Sequence, residues 1–510
     1  MSRPDRRRPL RALLALPLVL LPIRAQDTAA ATPLNADRVQ ALAQHAFAAF
    51  GPPALCIAVV QTGREPIEIA LGERSAGHPV TVHSTFNIAS CTKAFTAALM
   101  AQQVHAGALD WNDRVVDHVP GFRMQDPWIT AHMTIADLLS HRCGLVTFAG
   151  DLLWYDSDYD DAEVLRRIEQ LPIPQRFREE FGYQNLMYLV AGQVLARSTG
   201  TGWEELVEQS LLQPLGMQDS RASVQRLPQD SDRAAPHIDG HEVEEHAFVA
   251  CKPAASIHAS IHDLVPWIAM LLGGGRHGDA QLLDAPALAA MWQPHVGMGR
   301  GTGADARDMR GYGMGWFLYL ERGKKLVEHD GGMPGFLSKV SLLPADGFGF
   351  AVLNNGNDGV LNEAIKASLL AEHQGLDGGA QIDRIAKINE RILQQRRSEV
   401  ERREAQRIPG TTPRLPLADY CGRYEDESYG PAEVRMDGDQ LHVTLLPSKR
   451  KLLGPMLHWH QDVFRVDFPD RFLPFALFRF EFDTAGKVAG FRIDCPIADF
   501  DFGALDFRRG

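Results

Sequence analysis

Ser90-Cys91-Thr92-Lys93, running on into Ala94-Phe95-Thr96-Ala97-Ala98-Leu99-Met100, is the stretch from which the rest of this chain can be read. The apolar run has the length and character of a buried helix, predicted over 90–104. Residues three apart on a helix share a face, so the Ser90 hydroxyl and the Lys93 amine meet one turn apart. A serine is a weak nucleophile until a neighbouring base takes its proton. A lysine becomes that base when burial or a nearby cation lowers its pKa. Cys91 points about 100° away from Ser90 on such a helix and is not a candidate nucleophile.

The Ser-x-x-Lys spacing occurs a second time, at Ser448-Lys449-Arg450-Lys451. That copy lies in a proline-flanked basic turn with no buried helix after it, and reads as a solvated loop. Two further elements support the first copy. Tyr183-Gln184-Asn185 opens another apolar helical run. A tyrosine near a nucleophilic serine can shuttle a proton, and lysine cations would make its phenolate accessible. The Asn185 amide can orient a substrate carbonyl or the lysine. His329-Asp330-Gly331-Gly332 stands where a strand begins, and its glycines let a substrate lie against the backbone. The Gly332 and Ser90 N–H groups would then form an oxyanion hole, one donor of which contributes roughly 3 kcal/mol of transition-state stabilisation. His329 is placed to contact substrate or to tune Tyr183.

In this order, the three elements resemble the active-site motifs of the beta-lactamase-related serine hydrolases: class C beta-lactamases, D-alanyl-D-alanine peptidases, D-aminopeptidases and EstB-type esterases. Phe86-Asn87-Ile88-Ala89, Thr134 to His141, Pro214-Leu215-Gly216-Met217 and Tyr312-Gly313-Met314-Gly315-Trp316 are similar to further landmarks of that family. The resemblance covers about residues 35–375. It implies a beta-lactamase/transpeptidase-like fold, acylation of Ser90, Lys93 as base, Tyr183 as proton carrier, and Asn185, His329, Gly331 and Gly332 around the substrate. It implies no cofactor and no metal. Lactamases of this type usually carry a lysine where His329 stands. The histidine form resembles the peptidase and esterase branches, so cleavage of a small peptide, amide or ester is expected, with lactam hydrolysis or a non-catalytic penicillin-binding sensor as alternatives.

Composition bounds the setting. Residues 1–25 carry arginines at 3, 6, 7, 8 and 11, an apolar stretch from Ala12 to Ile23, and Ala25 at a cleavage-like position. This reads as a signal peptide, hence export to the periplasm or medium, with no stable membrane span. Removing those residues, which carry six arginines and one aspartate, takes the formal net charge from −12 to −17. That charge excludes nucleic acid and anionic membrane surfaces as partners. Six scattered cysteines are too few for a disulfide scaffold, although Cys421 and Cys495 could pair. No Gly-x-Ser-x-Gly occurs, which removes the α/β-hydrolase elbow. His241-Glu242-Val243-Glu244-Glu245-His246 misses the zinc-protease spacing by one residue.

The chain divides by pattern. Residues 26–375 alternate strand-like and helix-like stretches, an α+β domain with a mostly antiparallel sheet. Leu55–Gln61 and Ile67–Leu71 read as a hairpin. Phe336–Leu343 and Phe348–Asn354 read as paired strands about a Pro344–Gly347 turn. Residues 376–410 keep one narrow isoleucine stripe among many charges, a helical linker. Residues 411–510 hold short β-runs with turns between them, a small antiparallel β-barrel. Tyr420 to Tyr424 and Leu457 to His460 resemble the lipocalin-like domain attached to some of these hydrolases. There it helps assembly or narrows access to the active site, which for this chain implies a homo-oligomer or a restricted cleft.

Overall fold

The structure, a computed structural model, describes residues 33–299 and 310–510. The signal-peptide reading of 1–25 lies outside them. Among the described residues, no helix is long and apolar enough to cross a membrane.

Ala54–Gln61 is buried along its whole length because both of its faces are covered. Leu55, Ile57 and Val59 point to one side. There they meet Val39, Leu42 and Ala46 of the helix Ala36–Phe50 and Leu361 and Ile365 of the helix Val360–His373. Ala54, Cys56, Ala58 and Val60 point to the other side and join the main core. Strand alternation thus assigns each apolar residue to a layer. This strand pairs antiparallel with Ile67–Ser75 on one side and Phe348–Asn354 on the other. The sheet continues through Phe336–Leu343 and Lys324–Met333 to Phe317–Glu321, with shorter edge strands at both ends. Both expected hairpins are present. On the far side of the sheet lie the helices Thr92–His105, Leu186–Thr199 and Ile261–Leu272. The α+β, beta-lactamase/transpeptidase-like architecture is therefore that of the structure.

A 28-residue helix, Gly378–Ala405, follows the sheet domain. Ile382 and Ile385 are buried, while Ile388 and Val400 are 40% and 48% exposed, so only its first half packs on the sheet domain. Eight strands between Gly422 and Arg509 then close into an antiparallel barrel, with Gly422–Asp426 pairing with Phe507–Arg509. Aromatic rings fill it, among them Tyr424, Phe478, Phe480 and Phe491. Cys421 and Cys495 do not pair. Their thiols turn to the backbone carbonyls of Leu417 and Pro474, and both cysteines are free.

Candidate active site

A short 3-10 turn, Ala89–Cys91, carries Ser90 into the helix Thr92–His105. Ala89 has φ 45°, in the left-handed region. Such a backbone is sparsely populated for a side-chain-bearing residue and must be held by its surroundings. The hold is local: Asn87 Oδ1 accepts the Ala89 N–H at 2.6 Å. The helix behind the turn is buried on every side from Thr92 to Ala101, which takes Lys93 completely out of water. Gly315, at φ 77°, lets the chain pass against it; a Cβ there would stand 2.9 Å from the Lys93 carbonyl oxygen.

Lys93 Nζ lies 3.1 Å from Ser90 Oγ, 2.6 Å from Asn185 Oδ1 and 3.1 Å from the Ala254 carbonyl oxygen. The two carbonyl oxygens can only accept hydrogen bonds. A neutral amine has two N–H groups and one lone pair, so donating to both leaves the lone pair facing Ser90. Burial is the main reason that the lysine pKa falls to about 7, with the Asp151 carboxylate pulling the other way. The arrangement is that of a serine beside a base able to take its proton.

Tyr183 lines the cleft beside Ser90, and the Lys93 amine sits 4.8 Å from its ring centroid. Burial holds its phenol well above the ordinary value of 10. The expectation of an accessible phenolate is therefore corrected: desolvation outweighs the neighbouring amine, and Tyr183 keeps its proton. The Asn185 Oδ1 accepts from Lys93 and one N–H of its Nδ2 donates to Asp151 Oδ2 at 2.6 Å, while the residue lines the cleft. The amide therefore holds the lysine, and its second N–H is not engaged by any protein acceptor among the described residues.

The strand Lys324–Met333 brings the third element alongside. Gly331 is required there: a Cβ would lie 2.2 Å from both the Ile88 carbonyl oxygen and Ser338 Oγ. Gly332 is less crowded and lines the cleft with Ser90. His329 is 1% exposed. Its Nδ1 donates to the Asp330 carbonyl at 2.6 Å, which leaves Nε2 to accept from the Tyr312 hydroxyl at 2.9 Å. Burial and the nearby Lys93 lower its pKa to about 3, so the ring is neutral. Cys91 is buried, bonds the His329 carbonyl at 3.3 Å, and has a thiol pushed up to about 12.

Several participants escaped the sequence reading. Asp151, 2% exposed, accepts from Asn185 and, at 3.0 Å, from Trp154 Nε1. Its one sequence signal is an acid set in an otherwise apolar, aromatic run, Phe148 to Tyr155. His141 lies under Tyr183, ring centroids 4.2 Å apart, and its Nδ1 accepts the Gln184 N–H. The second Ser-x-x-Lys copy is also corrected. Ser448 is not in a solvated loop but fully buried where the barrel meets the sheet domain. His241 and His246 part company, the first exposed and the second buried.

A cleft of about 1360 Å³ opens over Ser90. Phe148, Phe181 and Phe317 line it from the sheet domain, Phe472 and Phe500 from the barrel, and Arg396 and Val400 from the long helix. A family model described as Beta-lactamase matches residues 39–374, and one described as Domain of unknown function (DUF3471) matches 406–509. The chain is 24% identical over 453 residues to the Unguisins hydrolase ungD of Aspergillus violaceofuscus, covering 81% of this chain and 79% of that one. It is 29% identical over 306 residues to Penicillin-binding protein 4 of Amycolatopsis lactamdurans, covering 57% and 77%. Among solved structures, the octameric penicillin-binding protein homologue from Pyrococcus abyssi superposes with a TM-score of 0.61 at 20% identity, covering 93% of this chain and all of that one.

Proposed function

Since the chain belongs to the beta-lactamase family of serine hydrolases, we propose that it is an exported hydrolase that cleaves a small peptide, amide or ester through an acyl-enzyme on Ser90. The observation that carries this reading is the hydrogen-bonding of Lys93. With both N–H groups donated to Asn185 and Ala254, its lone pair is the acceptor for the Ser90 proton as Oγ attacks the substrate carbonyl. The Ser90 and Gly332 N–H groups receive the developing oxyanion. Tyr183, held as a phenol, donates to the leaving group and regains a proton from the deacylating water.

The peptidase or esterase branch is favoured over lactam hydrolysis by His329. A neutral imidazole with both nitrogens engaged offers no fixed cation to a substrate carboxylate. The cleft is larger than the 300–1,000 Å³ usual for a small ligand and rich in aromatic rings, which suits apolar side chains on either side of the scissile bond. The octameric relative supports assembly of this chain into a homo-oligomer as well.

A fluorophosphonate probe tests the nucleophile: the native chain is labelled and Ser90→Ala is not. A panel of nitrocefin, short-chain p-nitrophenyl esters and D-amino-acid p-nitroanilides tests the substrate class. Nitrocefin turnover exceeding that of the esters and anilides would overturn the assignment.

A further inference from the structure

The buried copy of the Ser-x-x-Lys pattern has a place in the molecule that catalysis itself does not explain. The barrel turn Leu446–Lys451 grips one short segment of the sheet domain. Ser448 Oγ donates to the Tyr155 carbonyl at 3.2 Å, and the Pro447 carbonyl accepts the Asp158 N–H at 2.8 Å. Lys451 Nζ pairs with Asp156 at 2.7 Å and Arg450 with the same carboxylate at 3.3 Å. The barrel adds a hydrogen bond from the Tyr155 hydroxyl to Asp470 at 2.6 Å, and the Phe500 ring lies 4.3 Å from that of Tyr155. Asp156 has φ 47° and is buried, a conformation that these contacts sustain. The same segment begins at Asp151, whose carboxylate holds the Asn185 amide with its oxygen toward Lys93. Four residues therefore separate the barrel's grip at Asp156 from the carboxylate that orients the base.

We propose that the Ser448–Lys451 turn of the barrel is a positioning element of the catalytic base, acting through the segment Asp151–Asp158. The barrel then does more than wall the cleft, because its docking fixes Asp151, Asp151 fixes Asn185, and Asn185 fixes Lys93. This rests on the assignment of Ser90 and Lys93 made above. Asp151, Asp156 and Lys451 are positioning residues, since none of them touches the reacting atoms. Lys93 is faced by the thiols of Cys91 and Cys251 and the imidazoles of His141 and His329, as well as by Asp151 and Tyr183. Asp151 is faced by Lys93 and by Asp499 of the barrel. Of these, Asp151 is the anion that Lys451 reaches through the chain.

The test is the rate of fluorophosphonate labelling of the full chain between pH 5 and 10. In Asp151→Asn the anion beside Lys93 is lost, which moves the acid limb about one pH unit lower. The loosened amide lowers the plateau about tenfold. Lys451→Ala is expected to shift the limb in the same direction and lower the plateau several-fold. The double variant is expected to match Asp151→Asn alone, because both changes act through one carboxylate. Additive effects in the double variant, or a Lys451→Ala limb coincident with that of the native chain, would overturn the proposal. Tyr155→Phe, which removes one barrel-facing hydroxyl and keeps the ring, is read by the same criteria if Lys451→Ala does not fold. A native chain that the probe does not label refutes the Ser90 assignment instead.

Discussion

Lowering the pH from 8.5 to 5.5 should slow acylation of Ser90 about 30-fold. On the mechanism proposed above, Lys93 takes the Ser90 proton only when neutral, and burial has brought its pKa from 10.5 to about 7. With that midpoint about 97% of the lysine is neutral at pH 8.5 and about 3% at pH 5.5. An ordinary lysine would be about 1% neutral at pH 8.5, and the rate would go on rising tenfold per unit to about pH 10. The two cases differ in where the rise stops. Asp151 also titrates near 7, raised by its burial, so the limb belongs to the Lys93–Asp151 pair. His329, near 3, and Tyr183, well above 10, leave this window clear. The assay is kcat/KM for a p-nitrophenyl ester, with probe labelling as a check that acylation is the step observed. A profile flat from 5.5 to 8.5, or one still climbing tenfold per unit above pH 9, would refute the argument that a desolvated amine is the base.

Further outcomes follow from particular contacts. Gly331→Ala places a Cβ 2.2 Å from the Ile88 carbonyl oxygen, so the third-motif strand must withdraw from the nucleophile turn; activity should fall at least about 100-fold, measured beside a thermal melt. Tyr312→Phe leaves His329 Nε2 without a donor in a buried site, which should lower stability by about 1–3 kcal/mol in urea unfolding. Asp137 is fully buried between Arg142 and Arg178, both at 2.7 Å; Asp137→Asn should cost about 3–5 kcal/mol by the same measurement.

Lys93 carries a stability consequence of definite sign. Its folded pKa lies below its unfolded one, so the unfolded chain binds the extra proton between about pH 7 and 10.5. Stability contributed by this group therefore rises with pH through that window and is lowest below pH 7, where both states are protonated. Holding a functional base out of water opposes folding, a familiar trade between activity and stability.

The local placement of the candidate residues was legible in the sequence because it depends on short spacings. Ser90 and Lys93 sit one helical turn apart, and the all-apolar run after them already required the burial that lowers the lysine pKa. Tyr183 and Asn185 at the mouth of a second buried helix were readable for the same reason, whereas the glycines expected at the start of a strand lie at the end of Lys324–Met333, because the strand begins at the charged Lys324-Lys325 pair, which carries no apolar signal. Strand alternation likewise gave the sheet its hairpins and the barrel half of its strands. Partners distant in the chain left no such pattern. The Ala254 carbonyl, Tyr312 and Asp151 reach the site from separate elements, and only packing decides that they meet Lys93, His329 and Asn185. Packing also reversed two readings, by desolvating Tyr183 enough to keep its proton and by burying Ser448 beneath the sheet domain. A spacing in sequence fixes which side chains share a face of one element, whereas the dielectric and the hydrogen-bond partners around them belong to whatever other elements close over that face.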